Sequence, residues 1–275
     1  MRVVVAKGSG FCFGVKRALE IVEKALAKRN GPFYTLGPLI HNPQVVEGLS
    51  RRGLKVINHL EGIKKGTFVI RSHGLPTTTI ELARERGLKI IDTTCPYVKR
   101  AQERAKDLEA RGYQLVIVGD RGHPEVKSMA SEKSIVLQRP SQVEKVRSYP
   151  RMGVVAQTTQ SLENFKGIVK RLRSKAKELK VYATICNAVS RQQRSTRELA
   201  READLMLVIG GRNSANTKRL FQISKGLTEA HHIEKASEID KRWLKNKKIV
   251  GISAGASTPK WLTDEVARKV KGYGN

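Results

Sequence analysis

The stretch Leu88-Lys89-Ile90-Ile91-Asp92-Thr93-Thr94-Cys95-Pro96 carries a cysteine between a strand pattern and the start of a helix. Its apolar residues predict a short strand, and a proline directly after the cysteine is typical of a first helical turn. Val98, Ala101 and Leu108 then recur at helical spacing on one face. The stretch therefore predicts one strand–cysteine–helix unit of a parallel α/β fold.

The same order recurs around the other two cysteines of the chain. Cys12 follows the strand pattern at residues 3–6, and Cys186 follows the one at residues 181–185. The next polar loops come 29, 28 and 28 residues after the three cysteines and are centred on His41, His123 and Ser214. Three related modules, each donating one thiolate to a shared point, would produce this rhythm.

Polar loops follow nine strand patterns, and ligands of open α/β sheets bind at the carboxyl ends of strands. The loops fall into three groups, namely His41, His73 and Cys95, then His123, Thr158 and Cys186, then Ser214, Ser257 and, by chain closure, Cys12. The third module would thus borrow the N-terminal strand. The predicted modules are residues 13–95, residues 96–186, and residues 187–275 completed by residues 1–12.

Length and composition limit the classes of protein to which the chain can belong. A chain of 275 residues can bury a sizeable core, and its apolar runs are too short to cross a membrane. The first residues lack the apolar core of a signal peptide, so we expect a cytoplasmic protein whose thiols stay reduced. Three widely separated cysteines also argue against a disulfide framework.

The charge is strongly positive, at +28 from 53 basic and 25 acidic residues. Such an excess attracts phosphates, nucleic acids or acidic proteins, although a solvated surface rich in lysine and arginine is the simpler explanation. Aromatic residues make up only 5% of the chain, too few for a platform on which bases stack. We therefore expect no specific nucleic acid as a partner.

The three cysteines predict a metal cluster. A thiolate at a helix N-terminus has a lowered pKa, and soft thiolates suit iron–sulfur clusters or zinc. Structural zinc sites use four ligands, often in Cys-x-x-Cys pairs, and the sequence contains no such pair. Three thiolates on a four-iron cluster would leave one iron open to substrate. The alternative is three unrelated buried cysteines.

Histidines and small polar residues in the loops indicate an anion site. His41, His73 and His123 can hydrogen-bond a phosphate, although a single histidine is more often structural. Ser214 and Asn216 precede a helical pattern, where a helix N-terminus binds anions, and Ser257 lies in a loop with two glycines. Ordinary helix capping by serine and asparagine is the competing explanation.

Glu125 is the one carboxylate in the histidine-bearing loops, two residues after His123. Partial burial beside a cluster would raise its pKa and let it deliver protons. Thr158 could orient a substrate hydroxyl. A helix N-terminal charge is the structural alternative for Glu125.

Nine ordered motifs carry a resemblance that covers essentially the whole chain. They are Gly10-Phe11-Cys12-Phe13-Gly14-Val15, Ile40-His41-Asn42, Ser72-His73-Gly74, Asp92-Thr93-Thr94-Cys95-Pro96, Gly122-His123-Pro124-Glu125-Val126, Gln157-Thr158-Thr159, Ile185-Cys186, Asn213-Ser214-Ala215-Asn216 and Ser253-Ala254-Gly255-Ala256-Ser257-Thr258-Pro259. With these motifs the chain resembles the 4-hydroxy-3-methylbut-2-enyl diphosphate reductases of the non-mevalonate isoprenoid pathway.

The resemblance implies three α/β modules, with mainly parallel sheets, arranged as a cloverleaf around a central iron–sulfur site. It implies a 4Fe–4S cluster on Cys12, Cys95 and Cys186, with Glu125 as proton donor and Thr158 orienting the substrate. The residues that would hold the diphosphate are His41, His73, His123, Ser214, Ala215, Asn216 and Ser257. Many relatives have a second serine where this chain has Ala215, so only its backbone N–H could donate there.

The reaction implied is reductive dehydroxylation of the (E)-hydroxymethylbutenyl diphosphate to isopentenyl and dimethylallyl diphosphate, with two electrons passing through the cluster. The sequence lacks a G-x-G-x-x-G motif, so an acidic ferredoxin or flavodoxin is the expected donor. A non-redox iron–sulfur hydro-lyase is one alternative, but only Arg121 and Arg212 lie near the loops to bind a carboxylate. A nucleic-acid-binding iron–sulfur regulator is the other.

Overall fold

Strands and helices mostly alternate along residues 1–28 and 31–273, the parts of the chain that the computed structural model describes. The strands are β1 (Arg2–Val5), β2 (Phe33–Leu36), β3 (Leu54–Ile57), β4 (Thr67–Ile70), β5 (Lys89–Asp92), β6 (Gln114–Val118), β7 (Ile135–Leu137), β8 (Tyr149–Ala156), β9 (Ala176–Val181), β10 (Leu205–Ile209), β11 (Glu229–Ile233) and β12 (Ile249–Ala254). The helices are α1 (Phe13–Ala27), α2 (Pro43–Arg51), α3 (Thr77–Glu85), α4 (Pro96–Ala110), α5 (Pro124–Met129), α6 (Leu162–Leu172), α7 (Asn187–Glu202), α8 (Ala215–Lys225) and α9 (Lys260–Gly272).

The described strands form three parallel sheets of four strands with the same internal order. The orders are β3-β2-β4-β5, β7-β6-β8-β9 and β11-β10-β12-β1. In each sheet the last strand of the order precedes a cysteine, and in the third sheet that strand is the N-terminal one. The prediction of an α/β fold with three parallel sheets is thereby confirmed.

Contacts divide the chain into two compact units, and the first contains the sheet β11-β10-β12-β1. This unit comprises Met1–Lys16, Ile40–Gly48 and Asn187–Asn275. Strand β10 is buried on both faces, as its unbroken apolar sequence predicts for a central parallel strand. One face packs against Leu262, Val266 and Val270 of α9, and the other packs Met206 against Leu199 and Ala200 of α7.

The second unit comprises Arg17–Leu39 and Leu49–Cys186 and contains the other two sheets. The sheet of β6 and β8 has α6 on one face, where Phe165, Ile168 and Leu172 are buried. Its other face packs against Ala101, Ala105 and Leu108 of α4. The helix that follows Cys95 therefore covers the next sheet along the chain, not the sheet that precedes it.

The sheet of β2–β5 has its own core in this unit. Phe68 and Ile70 of β4 are buried against Ala83 of α3 and against Leu60, Leu75 and Leu88 of the connecting segments.

All the residues that the helical spacing assigns to the inner face of α1 are also buried, namely Val15, Ala18, Leu19, Val22 and Leu26.

One strand prediction is wrong. The strand before Cys186 is β9 at Ala176–Val181, and residues 182–185 belong to the loop. The apolar run in this loop has the composition of a strand, but it lies beyond the end of β9 and has irregular backbone. Thr184 Oγ1 and the Tyr182 amide still hydrogen-bond to β8 there. The edge strands β3, β7 and β11 were also not predicted, since β7 has only three residues and β3 and β11 mix polar with apolar residues.

Within residues 1–28 and 31–273, no helix combines the length and the apolar sequence that a membrane span needs.

Candidate active site

The predicted functional loops all follow carboxyl ends of strands. In the second unit these loops carry His73, Cys95, His123, Thr158 and Cys186, and α5 adds Glu125. In the first unit they carry Cys12, His41, Ser214 and Ser257, and α8 adds Ala215 and Asn216. Parallel pairing brings the loops of one sheet to one edge, and that edge is where ligands bind in α/β sheets.

Glu125 and Thr158 form a buried, doubly hydrogen-bonded pair in the second unit. The Thr158 amide donates to Glu125 Oε1 at 2.6 Å, and Thr158 Oγ1 donates to Glu125 Oε2 at 2.9 Å. Glu125 is 2% exposed and sits in the first turn of α5, whereas Thr158 follows β8. The predicted proton donor and the predicted orienting hydroxyl are therefore in direct contact.

Burial raises the pKa of Glu125 to about 7 from a usual value of 4.5. The two hydrogen bonds from Thr158 oppose this shift because they stabilise the carboxylate, and the nearby charge of Asp120 adds to it. A carboxyl group with a pKa near 7 is protonated in about half of the molecules at neutral pH, as a general acid requires.

His73 and His123 lie side by side in the same unit. Their ring centroids are 5.4 Å apart and the rings meet edge to face at 82°. His123 caps α5, since its Nδ1 accepts from the Glu125 amide at 3.2 Å. That bond assigns the ring proton to Nε2, so the His123 side chain presents a donor of the kind a phosphate oxygen needs.

Each cysteine is held by the same backbone hydrogen bond, to the carbonyl two residues beyond the end of the adjacent strand. In the second unit the Cys95 amide donates to Ser72 O at 3.0 Å, and the Cys186 amide donates to Thr158 O at 2.9 Å. In the first unit the Cys12 amide donates to Ala256 O at 3.0 Å. The repeat seen in the strand order of the three sheets therefore extends to the backbone around each thiol.

The cysteines suit the ligation of an iron–sulfur cluster. All three are thiols, and Cys12 and Cys95 accept the first intrahelical bonds of their helices, from Lys16 and Lys99 at 3.0 Å. Helix α7 begins at Asn187, directly after Cys186. Each of the three cysteines therefore lies at the start of a helix, and cysteine thiolates are the usual ligands of iron–sulfur clusters.

Ser214, Ala215 and Asn216 form the N-terminus of α8 in the first unit. Ser214 Oγ accepts from the Thr217 amide at 3.3 Å, which leaves its hydroxyl proton for a further acceptor. Asn216 Nδ2 donates to Gln192 Oε1 at 2.7 Å. Asn216 Oδ1 is buried without a hydrogen-bond partner among the described residues, a signal that this amide belongs to a ligand site.

Ser257 and His41 are joined in the first unit. Ser257 Oγ donates to the His41 carbonyl at 3.0 Å. The backbone of His41 also packs on Gly211, where a Cβ would lie 2.5 Å from the His41 carbonyl oxygen. The loops after β10 and β12 thus hold the His41 segment by its backbone.

Gln192 is a further candidate for the site, because it bonds to the Asn216 side chain, and the sequence pattern did not single it out. Besides accepting from Asn216, its Nε2 donates to Ala254 O at 2.7 Å and to Gly8 O at 3.1 Å. It is 3% exposed, beside the buried Gln193 and Thr196 on α7. Polar residues at apolar positions of a helical pattern were the available signal.

A family model for the LytB protein matches residues 3–271 of the chain. The 4-hydroxy-3-methylbut-2-enyl diphosphate reductase of Geobacter sulfurreducens is 47% identical over 279 aligned positions, covering all of this chain and 99% of the relative. The reductase of the same name from Aquifex aeolicus is 44% identical over 276 positions, covering 98% of this chain and 96% of the relative.

Two solved structures are also similar. One is (E)-4-hydroxy-3-methyl-but-2-enyl diphosphate reductase, described as the terminal enzyme of the non-mevalonate pathway, with 44% identity, a TM-score of 0.70 and coverage of 99% of this chain and 100% of that chain. The other is the E-1-hydroxy-2-methyl-but-2-enyl-4-diphosphate reductase of Plasmodium falciparum, with 26% identity, a TM-score of 0.92 and coverage of 97% of this chain and 87% of that chain.

Proposed function

We infer that this chain, which belongs to the LytB family, is an oxidoreductase that catalyses the terminal reduction of the non-mevalonate isoprenoid pathway. The substrate is (E)-4-hydroxy-3-methylbut-2-enyl diphosphate, and the products are isopentenyl and dimethylallyl diphosphate. In the balanced reaction, two electrons and two protons remove the allylic hydroxyl as water and leave one new C–H bond. The Glu125–Thr158 pair is the strongest support for this proposal, because it supplies a buried acid with a pKa of about 7.

The proposed ligands of a 4Fe–4S cluster are Cys12, Cys95 and Cys186. When bound, the cluster would supply the two electrons one at a time and an iron with an open position that acts as a Lewis acid. The hydrogen bond that each cysteine amide donates to the neighbouring loop supports this assignment, since it holds each cysteine at the carboxyl edge of a sheet. The same repeat supports modules at residues 13–95, 96–186, and 187–275 with 1–12.

Glu125 is the proposed proton donor. In its protonated form the Oε2–H bond can point to Thr158 Oγ1, whose own proton then turns towards the substrate hydroxyl. This exchange needs no movement of heavy atoms, because the two oxygens are already 2.9 Å apart. Protonation of the departing oxygen lets it leave as water, and a second proton goes to carbon.

The proposed donors to the substrate diphosphate are His41, His73, His123, Ser214, Asn216 and Ser257, with the Ala215 amide as a backbone donor. Several donors of this kind would hydrogen-bond the oxygens of a diphosphate, and hydrogen bonds to a charged acceptor are stronger than bonds between neutral groups. Binding energy from this end of the substrate orients the reacting carbon, which is remote from it.

The proposed electron donor is an acidic ferredoxin or flavodoxin, and the proposed location is the cytoplasm. The net charge of +28 supports an acidic protein partner, since complementary charge speeds encounter.

The test is anaerobic reconstitution with iron and sulfide, followed by addition of the hydroxymethylbutenyl diphosphate and a chemical reductant. We expect oxidation of the reductant and formation of both five-carbon diphosphates. Replacement Cys95→Ser should abolish turnover and cluster absorbance, whereas Ser174→Ala, at an exposed serine of the second unit, should change neither.

A loaded cluster without turnover would contradict the reductase and favour the hydro-lyase. Failure of the protein to take up iron and sulfide would contradict the cluster assignment itself.

A further inference from the structure

Ser128 lies where three functional segments of the second unit meet. Its Oγ is 2.8 Å from the Glu125 carbonyl oxygen and 3.3 Å from the His73 carbonyl oxygen, as a donor to either. The same Oγ accepts from Gln102 Nε2 at 2.9 Å. One hydroxyl therefore connects the helix of Glu125, the loop of His73, and the helix that begins after Cys95.

Gly74 makes this junction tight. Its φ is +73°, and a Cβ at this position would lie 2.4 Å from Gln102 Nε2 and 3.3 Å from Ser128 Oγ. The turn that carries His73 therefore lies in close contact with the ends of the Gln102 and Ser128 side chains, at a positive φ that glycine adopts readily.

The residues that Ser128 connects are functional ones. His73 and His123 stand 5.4 Å apart, and His123 caps the same short helix in which Glu125 and Ser128 lie one turn apart. A helix of six residues has little stability of its own, so its position depends on contacts such as these. The spacing of His73 from His123 and Glu125 therefore depends on the hydroxyl of Ser128.

We propose that Ser128, held by Gln102, is a positioning residue that sets the distance between the His73 loop and the helix carrying His123 and Glu125. Through this distance it aligns diphosphate binding with proton delivery. The inference rests on the proposed function, since that function supplies the roles of the three residues. Ser128 acts through the others and does not itself touch the substrate.

The experiment compares Ser128→Ala, Ser128→Thr and Gln102→Ala in the reconstituted enzyme. Ser128→Ala should weaken binding of inorganic diphosphate, measured by calorimetry, by about fivefold to tenfold. It should raise KM by a similar factor, with a smaller change in kcat. Ser128→Thr should restore both, because a helical threonine keeps its hydroxyl on the carbonyl one turn earlier.

Ser174→Ala is the matched control. Ser174 Oγ also donates to the carbonyl three residues earlier, that of Arg171, at 3.1 Å, but it is exposed. This variant should leave diphosphate affinity and KM unchanged. The double variant Ser128→Ala with Gln102→Ala should lose no more than the larger single loss, because both residues act through one hydroxyl.

Unchanged diphosphate affinity in Ser128→Ala would overturn the proposal. Equal losses in Ser128→Ala and Ser128→Thr would overturn it as well, since packing and not the hydroxyl would then be responsible. Failure of the proposed function is a separate outcome, in which the wild type would not turn over. The calorimetric comparison with inorganic diphosphate would then still show whether the hydroxyl of Ser128 affects diphosphate binding.

Discussion

Thr158 donates hydrogen bonds to both carboxyl oxygens of Glu125, and its carbonyl accepts the amide of Cys186. A single loop residue thus holds the proposed proton donor on one side and a proposed cluster ligand on the other. The two donated bonds favour the carboxylate, yet burial outweighs them and the pKa still reaches about 7. The pair is therefore poised near neutrality by opposing effects of known origin.

Replacement Glu125→Gln should remove the acid while preserving shape. We expect kcat to fall by about 10²–10⁴, the usual contribution of a positioned general acid. The dissociation constant of the substrate should change less than about threefold, since the amide keeps the size and polarity of the carboxyl. Single-turnover kinetics with the substrate under chemical reductant separates the two effects.

Glu20→Gln, at an exposed position of α1, is the control and should behave as wild type. Wild-type turnover in Glu125→Gln would remove Glu125 from the mechanism.

Stability should depend on pH through the same carboxyl. The folded protein retains the Glu125 proton up to a pKa of about 7, whereas the unfolded chain releases it near 4.5. Between these pH values the folded state binds more protons, so the free energy of unfolding falls as pH rises. The contribution is fully present below pH 4.5 and is lost above 7, with a total of about 3 kcal/mol.

Thermal midpoints of wild type and Glu125→Gln between about pH 5 and 8 measure this linkage. The midpoint of the wild type relative to the variant should fall across that range. A difference that stays constant with pH would contradict the raised pKa.

Thr158→Val should shift the pH profile of activity. The valine lacks the hydroxyl that donates to Glu125 Oε2, and loss of a bond to the carboxylate raises the pKa of Glu125 further. The descending limb of the pH profile of kcat/KM should therefore move to higher pH. We also expect kcat to fall, because the hydroxyl proposed to orient the substrate is missing. Thr158→Ser keeps the donor and should retain the wild-type limb, so equal profiles for Val and Ser would count against the assignment.

Gly255→Ala should destabilise the protein. A Cβ there would lie 2.1 Å from Thr217 Oγ1 and 3.3 Å from Thr217 Cβ, at a buried position. We expect a loss of about 1–3 kcal/mol in the free energy of unfolding from overpacking. Gly48→Ala in α2 meets nothing within 4 Å and should be neutral or stabilising by up to about 1 kcal/mol. Thermal unfolding of both variants checks the contrast, which would fail if they shifted alike.

Turnover with a protein electron donor should depend on salt. Opposite charges on the +28 chain and an acidic carrier are screened as ionic strength rises, so the rate should drop about tenfold between about 0.05 and 0.5 M salt. Turnover with dithionite, which needs no docking, serves as the control and should change little. A salt-insensitive rate with ferredoxin or flavodoxin would assign the charge to another purpose.

The sequence by itself determined the α/β class, the strand–cysteine–helix repeat and every loop that carries a candidate site residue. It could do so because central parallel strands read as unbroken apolar runs, as β10 does, and because helix faces repeat at a fixed period, as on α4. Edge strands such as β3 carry neither signal, and the loop before Cys186 imitates a strand.

Only the tertiary structure decided how the side chains meet. Gln102 and Ser128 look like ordinary polar residues of a helix, and Gln192 differs from them only in being a polar residue at an apolar position of its helical pattern. The pattern does not show their partners, which lie far away in the sequence: Ala254 is 62 residues from Gln192, and His73 is 55 from Ser128. The pKa of Glu125 is likewise a property of burial, to which no local pattern gives access. Local periodicity specifies the elements, whereas a hydrogen bond or a desolvated charge exists only once distant segments have packed together.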